Sequence, residues 1–323
     1  CPAGGESSGL VPPVVPFELL PAVRDALARR EAVVALESAL ITHAFDHPSN
    51  LHIVRRMESA VRDEGAFPAT IAVIEGQPRV GLSDDDLQHL AAATSSDSPE
   101  QPSKLSLRDL PAALTQGLTG GTTVAATMHL AHLAGITVFA TGGIGGVHRN
   151  HPEDVSADLT ALARTPIVVV CSGAKAILDL PRTREVLETK GVPIVGYKTP
   201  WFPAFYSRRS DLPVDVTASD PLQVARLAAA RSCLDLPAAL LVCVPVPGPA
   251  ALPIHEPERA IARALEDAEA EGVTGKDLTP FLLARIVDLT GGAARHANEA
   301  LLVNNARTAA RVAVAMLEIT SHA

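Results

Sequence analysis

The segment TPIVVVCSGAK, residues 165–175, decides the fold class. Four β-branched residues and a cysteine make a short run that is apolar at every position, and a polar loop follows it directly. A run without polar alternation is typical of a parallel strand that is buried on both faces. Similar runs predict further strands at residues 32–36, 69–74, 136–140, 192–196 and 239–244.

Stretches with a helical apolar period separate these runs. They predict helices at residues 17–30, 50–64, 84–93, 107–116, 122–133, 156–163, 182–190, 221–233, 256–271, 278–289 and 293–317. Strands that alternate with helices predict the α/β class, here a single three-layer α/β/α domain over residues 17–323 with a largely parallel central sheet. Residues 1–16, rich in Gly, Ser and Pro, are predicted to form a flexible N-terminal segment, and residues 95–103 a surface loop.

Composition excludes several classes of protein. The chain has 323 residues, of which 47% are hydrophobic, so it can bury a large core and is not intrinsically disordered. Its formal net charge is −9 and it has no run of Lys and Arg, which argues against a nucleic-acid partner. No apolar run reaches the roughly 18 residues of a membrane span, so no membrane partner is expected. The four cysteines contain no C-x-x-C pair, and a reducing, cytoplasmic location is predicted.

Polar residues that follow the predicted strands are the first candidates for a site, because ligands bind beyond the carboxyl ends of parallel strands. Glu37 follows the first strand, where burial would raise its pKa toward use as a general acid; a helix cap or an ion pair is an equally good interpretation. Lys175 follows the strand at 167–171, near a predicted helix start. Low dielectric and the helix end would favour a neutral amine that forms Schiff bases, and a lysine that reaches solvent is the alternative.

A glycine-rich loop, TGGIGGVHR at residues 141–149, follows the strand at 136–140. Its four glycines predict a nest of backbone N–H groups for a phosphate, with a simple tight loop as the alternative. The loop is not G-x-G-x-x-G and the chain has no Walker A motif, so a dinucleotide or ATP enzyme is disfavoured. Asp154 is a candidate ligand for a hard divalent ion, whereas Ser156 and Asp158 have the positions of helix caps.

Ten segments occur in an order that is specific to one family. They are LESALITH (36–43), PATIAV (68–73), KLSLRDLP (104–111), GGTTVAATM (120–128), FATGGIGGVHR (139–149), DVSADL (154–159), GYKTPWFPAFY (196–206), TPFLLAR (279–285), LTGG (289–292) and NNAR (304–307). Across about residues 17–317 the chain resembles the pseudouridine-5′-phosphate glycosidase family. The resemblance implies an α/β/α fold, a homotrimer and one manganese ion that keeps most of its waters. It also implies reversible cleavage of the C–C bond between ribose 5-phosphate and uracil.

The resemblance also implies roles for single residues. Lys175 matches the nucleophile, Glu37 the proton donor and Asp154 the metal ligand. The positions that match substrate contacts are Lys104, Val124, Thr141, His148, Ser156, Ala157 and Asp158, with Asn298 near the base. This set suits the reaction because a carbon leaving group has no lone pair to protonate. A lysine adduct at the anomeric carbon divides the difficult step into easier ones.

The chain departs from the family pattern on the side of the leaving group. The family usually has Thr after the Glu-Ser pair and Gly-Met after the histidine, where this chain has Ala39 and Ala44-Phe45. Half of the aromatic residues lie within residues 197–206, where they predict either a core cluster or trimer contact, or a lid that stacks on a flat aglycone.

Three functions therefore stay open. The first is the cleavage of pseudouridine 5′-phosphate. The second is the reverse chemistry, a C-ribosylating synthase that joins ribose 5-phosphate to another planar aromatic acceptor. The third is a non-catalytic phosphosugar-binding protein, which the presence of Glu37, Lys175 and Asp154 together disfavours.

Overall fold

The computed structural model describes residues 17–94, 101–273 and 278–321. Its strands are β1 (Glu18–Leu19), β2 (Val33–Glu37), β3 (Phe67–Ile74), β4 (Gln77–Val80), β5 (Ser103–Leu105), β6 (Gly120–Thr122), β7 (Val138–Ala140), β8 (Val147–His148), β9 (His151–Val155), β10 (Val168–Cys171), β11 (Ile194–Tyr197), β12 (Val216–Ala218) and β13 (Leu240–Cys243). Strands β8 and β9 form a separate antiparallel hairpin, and the others form one sheet.

The central sheet is largely parallel. Its main path runs β1-β4-β3-β2-β7-β10-β13-β11-β12, and β6 joins β5 to β3 beside it. All neighbours from β3 through β2 to β12 are parallel, while β4 and β6 pair antiparallel with β3. Every residue of β2, β7, β10 and β13 is buried, so helices cover both faces of the sheet, as the apolar runs predict.

The helices are α1 (Pro21–Ala28), α2 (Ala39–His43), α3 (Ser49–Asp63), α4 (Asp84–Ala92), α5 (Leu110–Gln116), α6 (Val124–Leu133), α7 (Ala157–Leu162), α8 (Leu180–Thr189), α9 (Pro221–Cys233), α10 (His255–Glu271), α11 (Leu278–Leu289) and α12 (Ala293–Ser321). The long helix α12 packs between α3 and α9 and contacts β2, β7 and β10. Helix α6 packs against β2 and β3 with α7 beside it. The arrangement confirms the predicted α/β fold with a mostly parallel central sheet.

All six predicted strands are present, and each end lies within two residues of its prediction. The predicted helix at 17–30 is wrong at its start, because Glu18 and Leu19 pair with Arg79 and Val80 of β4 and the helix begins only at Pro21. Residues 1–16 and most of the predicted loop at 95–103 lie outside the described residues, and Ser103 begins β5. Over the described ranges, no helix is long and apolar enough to cross a membrane.

Candidate active site

Three neighbouring strands bring the candidate acid and nucleophile together. Glu37 ends β2, Thr141 follows β7, and Lys175 lies in the loop after β10. Because these strands are adjacent and parallel, their carboxyl ends meet at one edge of the sheet. Glu37 and Lys175 line the same cavity of about 60 Å³, and Lys104 from β5 lines it as well.

Glu37 is a buried carboxyl group among charged neighbours. Its side chain accepts a short hydrogen bond from the Thr141 hydroxyl. Burial raises the pKa of Glu37, and the positive charge of Lys175 and the Thr141 hydrogen bond oppose that shift. Asp158 also raises this pKa and Lys104 lowers it, both by smaller amounts. The raised pKa shifts Glu37 toward its protonated form, which is the state that a proton donor needs.

Lys175 is held by its backbone rather than by a helix. Its N–H donates to the Ile144 carbonyl at 3.0 Å, and Ala174 forms an isolated parallel bridge with Ile144. The helix predicted at 182–190 is present as α8, which Asp179 caps and which begins at Leu180, five residues after Lys175.

A second, larger cleft shares the reaction centre. Its volume is about 510 Å³, and Glu37, Lys104 and Lys175 line both this cleft and the 60 Å³ cavity. The predicted substrate contacts that also line it are Val124, His148, Ser156, Ala157 and Asp158, together with the predicted metal ligand Asp154. Burial lowers the pKa of Lys104, and the nearby Lys175 lowers it further, whereas Glu37 and Asp158 raise it.

Thr123 is a cleft residue that sequence reasoning missed. It is the residue before the first turn of α6, and its buried hydroxyl has no hydrogen-bond partner among the described residues. It lines the 510 Å³ cleft at the positive end of a ten-residue helix, where an anion is favoured. The pair Thr122-Thr123 before an apolar helix is the signal that could have identified this cap position.

The glycine loop does not form the predicted nest. None of its four glycines has a positive φ, and a nest needs residues of alternating hand. The N–H of Ile144 donates to Gly173, and the N–H of Gly145 donates to a carboxylate oxygen of Asp158. The other Asp158 oxygen accepts from the N–H of Ala125, so Asp158 joins the loop to α6.

The glycines instead allow the loop backbone to lie close to neighbouring side chains. A Cβ added to Gly145 would lie 2.2 Å from the Ser156 hydroxyl, and one added to Gly146 would lie 2.3 Å from the Thr183 hydroxyl. The loop packs directly under the residues of the large cleft for that reason.

Asp154 lies on β9, the exposed strand of the hairpin, and lines the large cleft. One carboxylate oxygen lies 3.9 Å from Nε2 of His148, and about half of the side chain is exposed. Among the described residues, no group of three or more His, Cys, Asp or Glu side chains could hold a metal ion. One exposed carboxylate fits an ion whose other ligands are water and phosphate oxygens, as Mg²⁺-like ions prefer.

The small cavity is mainly apolar on the side away from the large cleft. Phe45, Phe205, Leu283 and Leu302 line it there, and Asn298 adds one amide. Of the aromatic residues at 197–206, only Phe205 lines this cavity, while Tyr206 lines a neighbouring one, so the cluster is mostly core. Phe205 has a φ of 58°, a strained conformation that is typical of functional positions.

The comparisons with known proteins agree with this arrangement. Residues 22–315 match the family described as Indigoidine synthase A like protein. The chain is 51% identical to the pseudouridine-5′-phosphate glycosidase of Paracoccus denitrificans over 95% of this chain and 99% of that one. It is 52% identical to the pseudouridine-5′-phosphate glycosidase of Chloroflexus aurantiacus, over 92% of this chain and 97% of that one.

Two solved structures share the fold. The prealnumycin C-glycosynthase AlnA, crystallised with ribulose 5-phosphate, superposes with a TM-score of 0.86 at 38% identity, covering 95% of this chain and 99% of that one. An indigoidine synthase A-like protein from Thermotoga maritima superposes with a TM-score of 0.80 at 34% identity, covering 88% and 92%. Fold and site thus define an α/β/α protein with a lysine–carboxyl pair beside a polar cleft. The chain belongs to the pseudouridine-5′-phosphate glycosidase family.

Proposed function

We propose that the chain is an enzyme that cleaves the C–C glycosidic bond of pseudouridine 5′-phosphate reversibly, giving uracil and ribose 5-phosphate. The observation that carries this proposal is the place of Glu37 and Lys175, which line both a polar cleft and an apolar cavity. The cleft suits a sugar phosphate and the cavity suits a planar base. The bond to be broken would then lie beside the acid and the amine.

The residues supply a complete sequence of steps. Glu37 protonates the ring oxygen of the ribose while the Lys175 amine attacks the anomeric carbon, so the C–O bond of the ring breaks as the C–N bond forms. The Glu37 carboxylate takes a proton from the ammonium that has formed on Lys175, which restores the nitrogen lone pair. That lone pair then expels the heterocycle, Glu37 returns the proton to the leaving carbon, and a protonated imine remains on Lys175. Water hydrolyses the imine and releases ribose 5-phosphate with the free amine.

Lys104 and helix α6 would hold the phosphate end of the substrate. Lys104 supplies a cation, and the first turn of α6 at Thr123 and Val124 supplies the positive end of a helix. Binding energy from this remote group orients the sugar for attack. We further propose that Asp154 holds one hydrated Mn²⁺, which would add positive charge and ordered water near the sugar phosphate.

The test of the proposal is direct. Purified protein incubated with pseudouridine 5′-phosphate should release uracil, and borohydride with ribose 5-phosphate should leave a reduced adduct on the protein, seen by intact mass. Lys175→Ala should abolish both results. The matched control Lys190→Ala removes a lysine whose amine contacts Thr160 and should change neither. An adduct that persists in Lys175→Ala would overturn the mechanism, and a protein that forms no adduct would be a phosphosugar binder only.

A second candidate is C-ribosylation of another aromatic acceptor. It is favoured by the similarity to the C-glycosynthase and by the apolar residues Phe45, Phe205 and Leu283 around the small cavity. The acid, amine and phosphate cleft would be the same, and only the aglycone would differ. Adduct formation with ribose 5-phosphate but no release of uracil from pseudouridine 5′-phosphate would favour this candidate over the first.

We also propose a homotrimer in a reducing, cytoplasmic environment. The low cysteine content, four in 323 residues, supports the second part, because small secreted domains built on disulfides are rich in cysteine. A mass near three times 33.6 kDa by light scattering would support the trimer, and a mass of one chain would contradict it.

A further inference from the structure

Asn305 is a buried amide on the face of α12 that packs under the site. It lies seven residues after Asn298, which is two helical turns, so both side chains lie on the same face. Asn298 lines the small cavity, whereas Asn305 has no exposed surface. Asn305 therefore touches the structure behind the site and not the substrate.

The side chain of Asn305 makes a dense set of hydrogen bonds. Its Nδ2 donates to the carbonyls of Thr141 at 2.9 Å and Gly142 at 3.3 Å, and to the Ser172 hydroxyl at 3.1 Å. Its Oδ1 lies 3.3 Å from the same hydroxyl and can accept from it. Only an amide offers two N–H donors and an acceptor in this space, because a carboxylate has no donor and an aliphatic chain has neither.

These contacts join the loop after β7, whose Thr141 contacts the acid, to the loop after β10, which carries the amine. Thr141 follows β7 and donates its hydroxyl to Glu37, and Ser172 begins the loop that leads to Lys175. The N–H of Ser172 also donates to the Gly142 carbonyl at 2.8 Å, which ties the loops directly. The amide thus lies at the junction between the acid side and the amine side of the site.

We propose that Asn305 is a positioning residue for the bond cleavage, acting through the backbone of Thr141 to hold the Thr141 hydroxyl on Glu37. The inference rests on the proposed function of Glu37 as the proton donor. Without the amide, the Thr141 carbonyl and the Ser172 hydroxyl lose their partner, the Gly142 carbonyl keeps only the Ser172 N–H, and the loop relaxes to satisfy these groups in another way. Thr141 then no longer meets Glu37 at the required position.

The acid strength of Glu37 gives this role a specific signature. Burial and, to a smaller extent, Asp158 raise its pKa, and Lys175, the Thr141 hydroxyl and Lys104 oppose the rise. The hydrogen bond from the Thr141 hydroxyl lowers the pKa of Glu37, so losing this bond should increase that pKa. The basic limb of the pH profile of kcat, where a proton donor is lost, should therefore move to higher pH.

The experiment measures the pH profile of uracil release from pseudouridine 5′-phosphate in Asn305→Leu, Asn305→Ser, Thr141→Val and the double variant Thr141→Val/Asn305→Leu. We expect kcat at neutral pH to fall about 5- to 10-fold in the Asn305 variants, the factor that one hydrogen bond is worth. KM should change far less, and the basic limb should move upward. The double variant should move the limb no further than Thr141→Val alone, since the two changes act on one contact.

Asn50 offers a matched control. It is an equally buried amide that donates to the carbonyls of Ile41 and Ala91 and to the Thr94 hydroxyl. Asn50→Leu should lower the Tm as Asn305→Leu does and leave the basic limb where it is in the wild type.

Several outcomes would overturn the role of Asn305. One is an Asn305→Ser variant that folds and keeps the basic limb of kcat at the pH of the wild type. Another is a double variant in which the shifts of the two single variants add. A third is an Asn50→Leu variant whose basic limb shifts as much as that of Asn305→Leu. If Asn305→Leu does not fold, the smaller serine variant decides the question. The proposed function is judged separately, by whether the wild-type protein releases uracil and forms the borohydride-trapped adduct.

Discussion

Gly143→Ala tests whether the aromatic wall of the small cavity controls access of the base. A Cβ at this position would lie 2.7 Å from two ring carbons of Phe205 and 3.1 Å from the Gly173 carbonyl oxygen. Carbon atoms normally meet at about 3.5–4.0 Å, so the ring would have to retreat by about 1 Å. The ring has little freedom, because the Phe205 N–H donates to Ser172 and its edge packs on Tyr206 at 4.8 Å.

The magnitude follows from that contact. Overpacking a buried site costs about 1–3 kcal/mol, which corresponds to a fall in Tm of about 2–10 °C for a domain of a few hundred residues. Gly143 and Phe205 both line the cavity of about 60 Å³, so the added methyl and the displaced ring would change its shape and the KM for pseudouridine 5′-phosphate should rise. Borohydride trapping of ribose 5-phosphate needs no base and should proceed as in the wild type. Thermal melting, steady-state kinetics and intact mass measure the three quantities.

The neighbouring glycine is the control. A Cβ at Gly142 would lie 3.1 Å from a methyl of Leu302 and 3.4 Å from one of Leu301, and both are ends of flexible side chains. Gly142→Ala should therefore change the Tm and KM much less than Gly143→Ala. Equal effects of the two variants, or a wild-type KM in Gly143→Ala, would refute the role of Phe205.

Three further predictions concern charges at the site. Because burial raises the pKa of Glu37, cleavage should decline as pH rises through that pKa, at a higher pH than an ordinary glutamate would give; Glu37→Gln should remove this limb and lower kcat by about 10²–10⁴-fold. Lys104→Met should raise the KM for the sugar phosphate about 10- to 100-fold, the worth of one hydrogen bond to a charged group, and added phosphate should inhibit it less than the wild type. Asp154→Ala should give an activity that added Mn²⁺ does not change, and a retained Mn²⁺ response would exclude Asp154 as the ligand.

The sequence predicted the central strands well because their signal is local. Runs such as residues 167–171 are apolar at every position, and such a run is enough to predict a strand that is buried on both faces. The short strands were missed for the opposite reason. Strand β9 is exposed along its whole length, and β6 consists of Gly120, Gly121 and Thr122, so only their partners make them strands. Pairing with β4 likewise overrode the helical pattern at Glu18 and Leu19.

The site could be predicted in part for a similar reason. Glu37 and Lys175 follow strands directly, so the strand-end rule found both without knowledge of the contacts. Thr123, Phe205 and Asn305 could not be assigned in this way. Their importance depends on an unpaired hydroxyl, on a backbone conformation and on a hydrogen-bond junction, and each of these exists only after distant segments have packed.

The placement of β2, β7 and β10 side by side has a consequence for how the protein acquires activity. More than a hundred residues separate Glu37 from Thr141, and more than thirty separate Thr141 from Lys175. The three nevertheless meet at one edge of the sheet. Loops of that length must close before the acid and the amine face each other, and contacts of long sequence separation form slowly. Recovery of catalysis during refolding should thus lag behind the far-ultraviolet signal of the helices, making turnover a late marker of sheet assembly.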